Sequence, residues 1–199
     1  MSYGLRPGIS GQGGRWLRAM LSPVMSPTAF FMDFYVYPLL VLACLVIAFA
    51  TGESGHALGY VLLVLFGYLS WTLIEYLVHR FVLHHVAWLR GMHEAHHHAP
   101  NELIGTPTVF SMAVFYCLAY TPAAMIWGRP AAAAWMAGLL TGYLSYVVAH
   151  WAVHHVGSGG YRILRRLKRQ HALHHHVSQQ RNFGVTTAFW DMVFRTGGR

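Results

Sequence analysis

Four long uncharged runs decide most of what this 199-residue sequence can fold into. Residues 34–50, 57–74, 106–128 and 130–149 hold 17, 18, 23 and 20 residues without a charge. Crossing a bilayer takes about 20 predominantly apolar residues in a helix. The first two runs reach that length by borrowing flanking residues. None shows the polar face that a buried helix of a soluble bundle keeps. The expected fold is all-α and integral to the membrane, in a single domain over residues 1–199. Its four transmembrane helices are expected at about 32–52, 57–79, 106–128 and 130–153. A composition of 55% hydrophobic and 10% charged residues agrees with this.

Basic residues orient the spans. Arg6, Arg15 and Arg18 precede the first; Arg80 and Arg90 lie between the second and third. Arg162, Arg165, Arg166, Lys168, Arg169, Arg181, Arg195 and Arg199 follow the fourth. Only Arg129 lies on the other side, so thirteen of fourteen Lys and Arg mark the cytoplasmic face. Both termini are expected there, together with a segment 1–30 and a cap made of residues 80–105 and 155–199. A bacterial inner membrane is the expected location. The N-terminal segment lacks a cleavage site after a short apolar core and does not read as a signal peptide. Its glycine-rich stretch, 8–14, reads as a flexible tail. Trp71, Trp88, Trp127, Trp135 and Trp151 are expected as interfacial anchors.

Ten of the fifteen histidines form four groups: His79/His84, His93/His96/His97, His150/His154 and His171/His174/His175. Neutral imidazole is a ligand for iron, zinc and copper. In the last three groups the spacings are i, i+3 and i, i+4, which one helix face can carry. His79 and His84 are five apart, about 140° around an α-helix, so a bend or a helix end is expected between them. Ten ligands exceed what one ion takes, and two metals follow. The other five histidines, His56, His85, His98, His155 and His176, are isolated or merely extend complete motifs.

Depth ties the groups together. A helix starting at Ala57 reaches His79 after about 33 Å, and one starting at Pro130 reaches His150 after about 30 Å. The other two groups lie in the cytoplasmic loop and tail, so all four meet at the cytoplasmic edge of the hydrocarbon. A metal there is open to lipid on one side and to protons and electrons on the other. That points to oxygen chemistry on an acyl chain, with the metal carrying the hard step and the protein placing the lipid. The sequence holds no G-x-G-x-x-G after a strand, no C-x-x-C and no C-x-x-C-H. An external electron donor is therefore expected. Cys44 and Cys117 read as small apolar residues of the spans.

Other readings compete. His93-Glu94-Ala95-His96-His97 satisfies H-E-x-x-H, the zinc-hydrolase signature with glutamate as general base, but leaves seven histidines without a purpose. A metal transporter would want ligands along the spans, and only Asp33 and Glu75 are acidic there. The run from Arg162 to Arg169 fits anionic headgroups or an acidic electron donor such as a ferredoxin or a cytochrome b5-type protein. The net charge of +8 is what a membrane rim requires, and nucleic acid is not expected. Ligating histidines usually give their second N–H to a carboxylate or carbonyl. Glu75, four residues before His79, and Asp191 are the candidate orienting acids; for Asp191 a helix cap or a tail salt bridge is the plain alternative.

The run L-I-E-Y-L-V-H-R-F-V-L-H ending at His84, the stretch M-H-E-A-H-H-H-A-P from Met92, and Phe183-Gly184 with W-D-M-V-F from Trp190 resemble the fatty acid hydroxylase superfamily. Among its branches the sequence is most similar to fatty acid 2-hydroxylases, which act on free or sphingolipid acyl chains. The likeness runs from about Leu73 to Thr196. Its more selective motifs are I-E-Y-x-x-H-R-x-x-x-H and H-H-x-A-P; sterol desaturases usually show H-R-x-x-H, one residue shorter.

The resemblance implies a four-helix membrane enzyme with a cytoplasmic cap holding two iron ions, which zinc can replace on purification. It would use dioxygen to hydroxylate C2 of a fatty acyl chain. The ligands implied are His79, His84, His93, His96, His97, His150, His154, His171, His174 and His175. Another lipid, such as a carotenoid, a sterol-like lipid or a headgroup, is the alternative substrate. No segment resembles the cytochrome b5 domain fused to many eukaryotic relatives, in keeping with a separate donor. Val147 stands where some relatives carry an acid.

Overall fold

The computed structural model describes residues 24–198, and among them the fold is helices joined by loops, with one isolated antiparallel bridge between Val24 and Ile104. Arg6, Arg15, Arg18, Arg199 and the glycine-rich stretch lie outside the described residues. Helix α1, Pro27–Thr51, starts where Ser26 Oγ accepts the Ala29 N–H at 3.2 Å and proline occupies the first turn. This cap lies ahead of the uncharged run, so α1 begins earlier than the span expected from residue 32. Pro38 lies inside it.

A short 3-10 turn, Ser54–His56, leads into α2, Ala57–Leu77, which continues as a π turn, Val78–Leu83. Helix α3, Ala87–His98, follows. Helix α4, Thr108–Trp127, widens into a π turn at Phe115–Tyr120 just before Pro122, which has no N–H to give. There Thr121 Oγ1 bonds the Tyr116 carbonyl at 2.9 Å. Gly128, at φ +81°, turns the chain at once into α5, Arg129–His155. Helices α6, Arg162–His176, and α7, Phe189–Val193, complete the described chain.

Four helices are long and apolar enough to cross a membrane: Pro27–Thr51, Ser54–Leu83, Thr108–Trp127 and Arg129–His155. The outward faces of the first three carry bare Leu, Val, Phe and Met side chains, among them Leu42, Leu62, Leu65 and Met125. A water-soluble surface does not present such a band, and the protein is an integral membrane protein. Helix α5 is the exception, buried along most of its length by α1 and α2.

Small residues set that packing. Where α2 crosses α5, a Cβ at Gly138 would stand 1.9 Å from the Val64 carbonyl oxygen, and one at Gly67 2.0 Å from that of Trp135. The backbones touch there, as small residues allow in membrane helix pairs. Gly142 receives the Trp71 indole, which is buried against Phe115 and Tyr143. Trp71 is thus a core residue, not the interfacial anchor expected. The cause is the notch at Gly142, which draws the ring inward.

One buried polar network joins three spans. Asp33 accepts from Thr108 Oγ1 at 2.5 Å and from the Tyr143 hydroxyl at 2.6 Å, while Tyr37 donates to Ser111 at 2.7 Å. A buried carboxylate needs such donors, and these tie α1 to α4 and α5.

Candidate metal centre

The ten grouped histidines come together at one end of the bundle, all buried or half-buried; the five set aside are exposed. They divide into two sets of five. His79, His84, His93, His97 and His174 form one; His96, His150, His154, His171 and His175 form the other. Within each set the nearest ring nitrogens lie within 4.8 Å of one another.

Helix geometry makes the division. On α3, His93 and His97 are four apart and share a face directed to the first set, while His96 turns to the second. On α6 the pattern inverts: His171 and His175 join the second set and His174 the first. Each H-x2-H-H motif therefore serves both sets, and α3 and α6 lie between them. The second set is completed by His150 and His154, one turn apart at the end of α5.

His79 and His84 meet through the π turn. Its hydrogen bonds run from residue i to i+5, so residues five apart return to one face, and the two rings stack at 5.3 Å. The sequence spacing called for a bend or a helix end. The helix does end there, at Leu83 with His84 as its C-cap, and the extra-wide last turn brings the two rings together.

The donors fit metal ions. Imidazole Nε2 atoms face each other at 3.0–3.3 Å in the first set, from His93 to His79, His84 and His97 and from His84 to His174. In the second set His96–His150 is 3.0 Å and His154–His171 is 2.8 Å. Nitrogens sharing one ion through bonds of ~2.1 Å would stand no more than about 4.2 Å apart, and the separations just given are shorter than that. His79 Nδ1 donates to the Phe183 carbonyl at 2.6 Å, and His174 Nδ1 to the Arg181 carbonyl at 2.8 Å. Those bonds fix the tautomer and leave bare Nε2 lone pairs aimed inward. Lone pairs so arranged repel unless a cation sits among them. Five nitrogens also exceed the four that a structural zinc site takes.

Burial keeps the imidazoles neutral. It holds the pKa of His84 down to about 4, those of His96 and His97 to about 3 and that of His175 to about 2, with neighbouring imidazoles adding to the effect. The pKa values of His93 and His171 are also lowered, by burial first and by neighbouring imidazoles. Burial lowers that of His174 as well, opposed by its bond to the Arg181 carbonyl. At neutral pH these groups have no proton to shed before binding a metal.

Among the described residues, Glu75 and Asp191 form no hydrogen bond with a histidine. Glu75 accepts from Val185 N at 2.6 Å, Thr186 N at 2.9 Å and the Thr186 hydroxyl. Asp191 accepts from Phe183 N at 2.9 Å, Gly184 N at 2.8 Å and Thr196 Oγ1 at 2.8 Å. The two acids grip the strip 183–186, and the strip's own carbonyl receives His79. The link from Asp191 to His79 runs through the main chain of Phe183, which residue identities do not reveal. Glu94, the supposed base of H-E-x-x-H, is exposed and paired with Arg90 at 3.5 Å. Its carboxylate belongs to neither histidine set, so nothing among the described residues places it as the base of a zinc hydrolase.

A cavity of about 180 Å³ adjoins both sets, touching His79 and His93 of the first and His96, His150 and His154 of the second. Phe30, Trp71, Val78, Leu83, Ile104, Val147 and Trp151 give it a largely apolar wall, with Asp33, Glu75 and Tyr146 also reaching it. Asp33 was noted in the sequence only as a span acid. Its position just before the uncharged run 34–50, inside the expected first span, was the available signal, since such a carboxylate must find donors.

Known proteins share this chain's pattern. The family model described as "Fatty acid hydroxylase" matches residues 64–196. The ceramide very long chain fatty acid hydroxylase SCS7 of Saccharomyces cerevisiae is 37% identical over 145 residues, 65% of this chain and 36% of that protein. The dihydroceramide fatty acyl 2-hydroxylase FAH2 of Arabidopsis thaliana is 33% identical over 150 residues, 68% of this chain and 60% of that protein. Fatty acid 2-hydroxylase of Homo sapiens is 34% identical over 153 residues, 67% of this chain and 39% of that protein. This chain thus spans between 36% and 60% of the length of these relatives. The solved structure of full-length scs7p, with only the hydroxylase domain visible, superimposes with a TM-score of 0.70 at 25% identity. The match covers 86% of this chain and 67% of that one.

Proposed function

This chain belongs to the fatty acid hydroxylase family, and from that membership we propose that it is a dioxygen-dependent lipid hydroxylase acting at C2 of a fatty acyl chain. The observation that carries the reading is the pair of five-histidine sets on one apolar cavity. The ligands are His79, His84, His93, His97 and His174 for one ion, and His96, His150, His154, His171 and His175 for the other. Two iron ions held there would supply the redox chemistry that activates dioxygen against an unactivated C–H bond.

The chain's own residues do the rest. Phe30, Trp71, Val78, Ile104 and Val147 exclude water and hold the acyl chain beside both sets. Glu75 and Asp191 fix the strip 183–186, and through Phe183 the His79 ring. The relatives' names include fatty acid 2-hydroxylases and ceramide hydroxylases, which supports an acyl chain, free or in a sphingolipid-like lipid, as substrate.

The site lies at the cytoplasmic edge of the bilayer, with both termini on that side, in a single membrane domain of a bacterial inner membrane. Electrons come from a separate ferredoxin or cytochrome b5-type protein. The exposed Arg162, Arg165, Arg166 and Arg169 of α6 meet anionic headgroups.

Purified protein in lipid nanodiscs, given reductant and donor, tests the reaction class. Dioxygen uptake that depends on added acyl lipid and vanishes in His93→Ala is expected. Lipid turnover that proceeds equally without dioxygen would refute the reading.

A further inference from the structure

Helix α7 belongs to the segment assigned by sequence to a cytoplasmic cap, yet it is fastened low on a membrane span. The Trp190 indole N–H donates to Thr72 Oγ1 at 3.0 Å, and the Phe194 ring stacks on Tyr76 at 5.1 Å. Thr72 and Tyr76 both belong to the span Ser54–Leu83. That span is longer than a hydrocarbon core of about 30 Å, which counted from Ala57 ends near Leu77. Thr72 then lies about 7 Å inside the boundary and Tyr76 at it.

The face that α7 turns outward is apolar. Phe189 is 51% exposed, Met192 69%, Val193 48% and Phe194 44%. The one acid of the helix, Asp191, is buried beneath it. On the span to which it is fastened, Leu69, Leu77 and Phe81 are bare as well. Arg181 and Arg195, both exposed, flank it in sequence, where long cationic side chains can reach the headgroups.

We propose that the knuckle formed by α7 and Phe194 is inserted into the bilayer leaflet on the histidine side, with Phe189, Met192 and Val193 among the acyl chains. Its depth matches that of interfacial helices, about 5–10 Å into the headgroup and acyl boundary. Because Asp191 on the inner face holds Phe183 and Gly184, the bilayer presses on the strip that positions His79. The first histidine set is braced by lipid as well as by protein.

The test uses the full chain in liposomes, with Cys44→Ala and Cys117→Ala removing the native thiols. Single Phe189→Cys and Met192→Cys variants carry an environment-sensitive fluorophore. The native Cys117, exposed on α4, labelled in a separate sample, gives the lipid reference; Val177→Cys, at an exposed turn after α6, gives the aqueous one. The expected result is strong quenching of the 189 and 192 probes by lipids carrying a quencher near the carbonyl region, and little by iodide. Quenching by iodide as at residue 177 would overturn the proposal. Quenching by neither would also overturn it, and would place a protein surface there instead.

Discussion

His79 and Phe183 are joined by a 2.6 Å hydrogen bond from the His79 Nδ1 to the Phe183 carbonyl, across 104 residues of sequence. The first lies at the end of a membrane span, the second in the C-terminal tail. The bond fixes the tautomer of a buried imidazole, and Asp191 holds its acceptor by the neighbouring N–H groups. Orientation of His79 in the first histidine set therefore rests on the tail.

Asp191→Ala removes the acceptor for two buried main-chain N–H groups and for Thr196. Each unsatisfied group costs about 1–3 kcal/mol, and loss of an outer hydrogen-bond partner typically weakens metal binding about 10–100-fold. Metal analysis should show fewer than two ions per chain. Glu75→Ala should act in the same direction through Val185 and Thr186. Full occupancy in both variants would show that the strip 183–186 does not govern the ligands.

The two histidine sets should lose metal separately. His93→Ala removes the nitrogen nearest to three others of its set, and His171→Ala removes a ligand of the second. Each variant should retain about one ion per chain, and both should abolish hydroxylation. Simultaneous loss of both ions from either single variant would contradict two separate sites.

What the sequence made legible was local. Uncharged runs reveal spans because each run carries its own signal, and i, i+3 and i, i+4 spacings reveal helix faces bearing His93, His97, His171 and His175. How α3 and α6 divide their histidines between the two sets depends on helix rotation, set by packing far away in sequence. The carbonyls of Phe183 and Arg181 were invisible because every residue has one. The inward turn of Trp71 depended on the notch at Gly142, a partner 71 residues on. H-x4-H did contain the π turn, but as an apparent mismatch.

Gly138→Ala would press a methyl into the Val64 carbonyl, where the helices already touch. Overpacking of this kind costs about 1–3 kcal/mol. The thermal midpoint in nanodiscs should fall, whereas Gly59→Ala, with open space around it, should leave the midpoint unchanged or raise it. Equal midpoints for the two would remove the close α2–α5 contact from the account.

Metal-free protein should lose stability as pH falls. The folded-state pKa values of His84, His96, His97 and His175 lie at about 4, 3, 3 and 2, below the ordinary 6.5. Between those values the unfolded chain binds more protons, so stability is full above pH 6.5 and declines toward pH 4. A thermal midpoint of chelated protein that stays flat from pH 7 to pH 4 would show that these imidazoles are not buried neutral.

The most direct measurement is fragmentation mass spectrometry of intact lipids from aerobic cells expressing the wild-type chain or His96→Ala. The account predicts a gain of one oxygen, at acyl C2, in wild-type cells and none in the variant. An oxygen gained elsewhere on the lipid would contradict the assigned position. With an electron donor co-expressed, no gained oxygen in any lipid would contradict the hydroxylase reading itself.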